Sequence, residues 1–176
     1  MQIKLLGQSK PDWFGYRLAV TLGWGVALSG YGQSSSYQTD TAYVNSLLKK
    51  GEAVETRQPQ VALNFYRQAH QKAGQIRFTQ GYFESLRVLT YQLNNTGRYQ
   101  EAKKLALDGL KLALQDTSKR NRGICYFALA NTALYDGHPA EAIPHYQRAA
   151  AYMRQLGKLK NVAVINQNLG IIYERQ

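Results

Sequence analysis

The stretch that decides the fold is PAEAIPHYQRAAAYMR, Pro139–Arg154, because two others repeat its pattern at a fixed step. PQVALNFYRQAHQKAG (Pro59–Gly74) and YQEAKKLALDGLKLAL (Tyr99–Leu114) align with it at a spacing of 40 residues, without a gap. Ala62, Ala102 and Ala142 coincide; so do Tyr66, Ala106 and Tyr146, and then Ala69, Gly109 and Ala149. Within each copy these positions stand at i, i+4 and i+7, which is one face of a helix. Small residues on that face let a second helix approach closely, and a ring in the middle position fills the space beside them.

A second set recurs at the same step, between the copies and after the last: SLRVLTYQL from Ser85, CYFALANTA from Cys125 and INQNLGIIY from Ile165. Leu86, Tyr126 and Asn166 align, as do Leu89, Leu129 and Leu169, then Thr90, Ala130 and Gly170, then Leu93, Ala133 and Tyr173. Each unit is therefore a hairpin of helix A and helix B. Breaker-rich turns, NNTGRY and YDGHPA, join the two halves. Gly97 and Gly137 suit the residue just past a helix end, and Pro139 suits a first helical turn. Pro144, inside a helix B, forfeits one bond to the Ala140 carbonyl and predicts a slight bend. The charged TSKRNRG stretch (Thr117–Gly123) reads as an exposed loop between units.

The Leu–small pair followed by an aromatic in helix A (NLGIIY), with Ala, Tyr and Ala in helix B (EAIPHYQRA), resembles the tetratricopeptide repeat. The resemblance runs from about Thr41 to Gln176. It implies an all-α fold, a right-handed superhelix of antiparallel helical hairpins. The period of 40 exceeds the common one of about 34. In that respect the chain resembles the long-repeat arrays of bacterial signalling proteins, of the maltose-regulator type. The units fall at about 41–80, 81–120, 121–160 and 161–176, the last truncated. The first is irregular (NSLLKKGEAVETRQPQ), as an end cap would be. The final stretch, NLGIIYERQ (Asn168–Gln176), reads as a helix A without its helix B. Leu169, Ile172 and Tyr173 are then expected to be only half covered, which predicts self-association through the last helix or continuation in a longer protein.

Residues 1–36 read differently. Lys4, Lys10 and Arg17 precede an uncharged run, LAVTLGWGVAL (Leu18–Leu28), and then a polar one, SGYGQSSS. This is the layout of a signal peptide with a polar linker after it. A cut near Gly32 places Gly30 and Gly32 at the small-residue sites. The apolar core is well short of the roughly 20 residues that span a bilayer, so no stable membrane span is expected. The protein is then periplasmic or secreted. No Cys lies near the cut, which argues against a lipid anchor. The single Cys125, in apolar surroundings, is expected in the core.

The chain is 44% apolar and 19% charged, a composition that can fold, with a formal net charge of +11. That excess is compatible with an anionic partner or simply with a basic soluble protein. The cluster Lys103, Lys104, Lys111, Lys119, Arg120 and Arg122 lacks any base-reading motif, so a solvated face is expected and no nucleic acid. His138, Glu141 and His145 lack the convergent spacing of a metal site. No phosphate loop or nucleophile turn is present. Neither metal, cofactor nor catalysis is expected.

The resemblance places helix A along the inside of a curve, where extended peptides bind. Its implied groove residues are those of helix A outside the packing columns: Arg87, Tyr91, Asn94 and Asn95; then Phe127, Asn131, Leu134 and Tyr135; then Gln167 and Ile171. Asn can pair with a peptide backbone, Arg with a carboxylate, and aromatic rings give area at low entropic cost. The expected function is an exported, non-catalytic scaffold holding a protein or peptide ligand in this groove. The alternative is the extracytoplasmic sensory region of a signalling protein, such as a histidine kinase.

Overall fold

The structure, a computed structural model, describes residues 27–174, with side chains from 35 onward. Among the described residues it holds seven helices and no strand: α1 (Ala27–Val54), α2 (Pro59–Gln75), α3 (Thr79–Asn95), α4 (Tyr99–Gln115), α5 (Lys119–Tyr135), α6 (Pro139–Gln155) and α7 (Leu159–Glu174). Of the proposed leader and linker, residues 1–36 with a cut near Gly32, those up to 26 lie outside the described residues. Helix α1 reaches back to Ala27, so the polar run read as a linker joins its first turns. Each helix from α2 to α6 has 17 residues, and three-residue links follow. The repeat is long because its helices are long; the links are short.

Successive helices pack as antiparallel neighbours, an α solenoid. The sequence columns are its seams. Ala62, Ala102 and Ala142, Tyr66, Ala106 and Tyr146, and Ala69, Gly109 and Ala149 are all buried. A Cβ on Gly109 would lie 2.2 Å from Leu86 Cδ1 and 3.3 Å from Cys125 Sγ, so this column lets α4 approach α3 and α5. Cys125 is buried there, and desolvation pushes its thiol up to about 12, which leaves it inert at neutral pH. Helix α1 touches α3, and α3 packs on α5, whereas α2, α4 and α6 meet chiefly through long side chains. Arg67 to Glu101 (2.7 Å) and Lys103 to Glu141 (2.8 Å) are such ties. The closer approach within the odd-numbered row runs through α1, α3 and α5.

Three links end their helices alike. Gly97, Gly137 and Gly157 adopt φ of 74°, 80° and 65°. In each, the following amide donates back to the carbonyl five residues earlier (Arg98 to Leu93, His138 to Ala133, Lys158 to Met153). A residue without Cβ enters this left-handed cap freely. After α4 the equivalent position is Thr117, whose branched side chain resists that conformation. There Asp116 stays extended, and Arg122 donates to the Ala113 and Asp116 carbonyls instead. This corrects the expectation of a loop over Thr117–Gly123. Ser118 accepts from the Asn121 amide as an N-cap, α5 begins at Lys119, and Asn121 and Gly123 are buried. Helix α6 runs through Pro144 without interruption.

Helix α7 packs on α6. Ile172, expected to be half covered, is buried with Val162 and Ile165; Leu169 is half-buried and Tyr173 is 52% exposed. A Cβ on Gly170 would meet nothing within 4 Å. The small-residue position that is closely packed in earlier units is open here.

Candidate binding face

The odd-numbered row presents most of the residues named from the sequence. Arg87 is exposed on α3, and its Nε and Nη2 donate to Glu84 Oε1 at 2.8 and 2.5 Å. Glu84 Oε2 accepts from Arg120 of α5 at 3.1 Å, so one carboxylate joins two units. Burial works to raise the Glu84 pKa, but the two guanidiniums outweigh it and hold the carboxyl below its ordinary value. Arg87 keeps unused N–H groups for a ligand, since a guanidinium carries five.

Phe127, half-buried on α5, lies edge-on to Tyr146 at 6.0 Å between centroids. Arg87 and Phe127 line one cavity of about 240 Å³ with Ile124, Val164 and Ile165. Three odd-numbered helices thus contribute to a single hollow. Tyr91 and Tyr135 are each 45% exposed, and Tyr99 is half-buried. Burial raises the Tyr135 pKa most, and the proximity of Tyr91 and Tyr99 raises it further. Tyr91 and Tyr99 thus lie near Tyr135, by the C-terminal ends of α3 and α5.

Asn131 is half-buried and accepts from the Tyr146 hydroxyl at 2.6 Å; that hydroxyl accepts in turn from Asn168 Nδ2 at 3.0 Å. This chain links α5, α6 and α7, so Asn131 braces the wall before it meets any ligand. Asn94, expected in the groove, is instead 2% exposed. It stands in the last turn of α3, where Gln92 Nε2 donates to the Glu55 carbonyl and the α1–α2 corner closes over the helix. Asn95 and Gln167 are exposed, Leu134 is half-buried and Ile171 is 37% exposed. The structure thus joins Arg87 with Phe127 and Tyr91 with Tyr135.

Sequence reasoning missed Tyr99, which opens a helix B, and the α7 residues Val164 and Ile165. Val164 shares a register column with Glu84 and Ile124, and that column was the available signal.

Other chemistry is held in the fold. His70 Nδ1 lies 3.1 Å from Ser85 Oγ, but Ser85 is buried and its hydroxyl donates to the Tyr82 carbonyl. The pair is a brace, with the histidine donating. Among the described residues, no three metal-ligating side chains converge. Among the described residues, no helix is long and apolar enough to cross a membrane. Within the basic cluster, Arg120, Lys103 and Arg122 are taken up by Glu84, Glu141 and backbone carbonyls. Comparison with protein-family models, curated proteins and solved structures finds no match.

Proposed function

We propose that this chain is an exported, non-catalytic scaffold that holds an extended peptide against the face built by α3, α5 and α7. The observation that carries the reading is the hollow shared by Arg87, Phe127 and Val164, flanked by exposed Tyr91 and Tyr135. A cation beside an apolar hollow suits a peptide with an acidic residue next to an apolar one. The tyrosines add rigid area and hydroxyl groups for the peptide backbone. The repeat pattern, which resembles tetratricopeptide arrays, supports the same use of helix A.

The test is selection from a displayed peptide library on the wild-type chain, with counter-selection on a variant carrying Tyr91→Ala, Phe127→Ala and Tyr135→Ala. Enriched peptides are expected to lose about tenfold in affinity on each single substitution. Equal enrichment on both proteins would overturn the reading. Export is checked by mass spectrometry of the chain from its native cell, where a mature N-terminus near residue 33 is expected. An intact Met1 would remove the export claim.

The open face of α7 favours a second reading, in which the array is the sensory region of a signalling protein such as a histidine kinase. Gly170 has no neighbour within 4 Å of a Cβ, and Leu159, Val164 and Tyr173 are exposed.

A further inference from the structure

A cleft of about 440 Å³ opens where α2, α3 and α4 meet, at the N-terminal end of α3. Ala73, Tyr82, Phe83 and Leu112 give it an apolar lining, and Arg77 and Asp108 bring opposite charges to it. Volumes of this order are typical of small-molecule sites, which combine apolar walls with a few placed polar groups.

The repeat supplies an internal control. In the next unit, 40 residues on, the equivalent space is filled. Arg122, in register with Tyr82, caps the end of α4. Tyr152, in register with Leu112, stacks on Tyr126 at 6.0 Å. Arg148, in register with Asp108, lies over the Tyr126 ring at 5.4 Å and donates to its hydroxyl at 3.1 Å. In the preceding unit Lys72, again in register with Leu112, reaches across to Asp40 at 2.8 Å. The cleft at α2–α4 has none of these plugs.

Arg77 and Asp108 are exposed and form no ion pair among the described residues, so both charges can meet a ligand. Arg77 also holds φ at 56°, the single non-glycine there with positive φ, at the link position where three other turns use Gly. Its amide donates to the Gly74 carbonyl, and Phe78 completes the cap on Ala73. A side chain kept in a strained backbone position is a mark of function when it points to a site. Asp116 also lines the cleft, but its oxygens already accept from the Ser118 amide and Asn121 Nδ2. Asp108 stands exposed at the rim of the cleft, near enough to Tyr82 to add, after burial and Cys125, to the rise of its hydroxyl pKa.

We propose that this cleft binds a zwitterion of amino-acid size with an apolar side chain. Arg77 takes the carboxylate, Asp108 takes the ammonium, and the side chain lies against Tyr82, Phe83 and Leu112. The site is independent of the peptide-binding face, so either can fail alone.

The test is titration of the full chain, followed by amide chemical shifts, with L-phenylalanine, L-leucine and L-methionine to about 10 mM. Phenethylamine and 3-phenylpropionate, each carrying one charge, are the controls. At least one amino acid is expected to saturate, with shifts centred on Arg77, Tyr82 and Asp108. The single-charge analogue of similar shape should bind about tenfold more weakly, having lost one charge-assisted contact. Leu112→Trp is expected to abolish binding by filling the cleft. Arg77→Gly is expected to raise the melting temperature while weakening binding, a pairing that a purely structural role would not give. No saturation by any of the three amino acids, equal binding of the single-charge analogues, or full affinity in Arg77→Gly would overturn the proposal.

Discussion

Gly51→Ala is expected to destabilise the protein, although the same change in an ordinary helix stabilises it. Gly51 lies in the last turns of α1 and is buried under the Tyr66 ring. A Cβ there would stand 2.3 Å from Tyr66 Cε1, 2.7 Å from Cδ1 and 2.8 Å from Cζ. The ring has little freedom to move. It is buried among Ala62, Leu63, Leu89, Leu93 and Ala102, and its hydroxyl donates to Glu55 Oε2 at 2.6 Å. Relief of glycine's helix penalty contributes about 1 kcal/mol. Overpacking a filled core costs about 1–3 kcal/mol. A net loss of up to about 2 kcal/mol follows, or a fall in melting temperature of up to about 8 °C for a chain of this size. Gly170→Ala is the control, since a Cβ there meets nothing; it should gain about 0.5–1 kcal/mol. Thermal and urea unfolding, followed by circular dichroism, give both values. In a double-mutant cycle with Tyr66→Ala, the Gly51→Ala penalty should disappear, because the ring is its cause. If Gly51→Ala stabilises as much as Gly170→Ala, the ring does not sit in the column as described.

Tyr146→Phe should cost about 1–3 kcal/mol by leaving the Asn131 oxygen and the Asn168 amide without their shared partner, and it should loosen α7 first, read as faster amide exchange there. On pH, His70 and His145 are held below the ordinary histidine pKa, chiefly by burial. The unfolded chain therefore binds more protons just below pH 6.5, so stability is complete above that pH and falls as acid approaches the lowered folded values. Melting temperatures between pH 7.5 and pH 5.5 should decline, and His70→Gln should flatten the slope; a rise on acidification would contradict this assignment. Through its exposed Val164, Ile171 and Tyr173, α7 should drive concentration-dependent association seen by sedimentation, which Val164→Lys together with Tyr173→Lys should abolish.

The seams were legible in the sequence because packing imposes them: a residue that touches its neighbour in every unit must be small or ring-shaped in every unit. The turns were legible where Gly97 and Gly137 mark a left-handed cap. They were misread at Thr117–Gly123, where no glycine stands at the link and a distant guanidinium, Arg122, supplies the missing cap. The binding face was harder to read. Which residues of a helix meet solvent depends on what covers its ends. The sequence does not say that the α1–α2 corner shelters Asn94 while leaving Asn95 exposed. Asn131 looked like a ligand group because its tie to Tyr146 joins residues 15 apart in the chain. The cleft beside Arg77 was invisible for a different reason. Asp108 and Arg148 occupy one column with opposite charge, but that difference acquires meaning only once the column is known to face the junction of three helices.

The most direct measurement places a nitroxide label on a peptide selected against the wild-type chain and maps the loss of backbone amide signals in the complex. Broadening is expected along α3 and α5, centred on Arg87, Tyr91, Phe127 and Tyr135, and reaching α7 near Val164. Broadening confined to α4 and α6, on the opposite row, would contradict it.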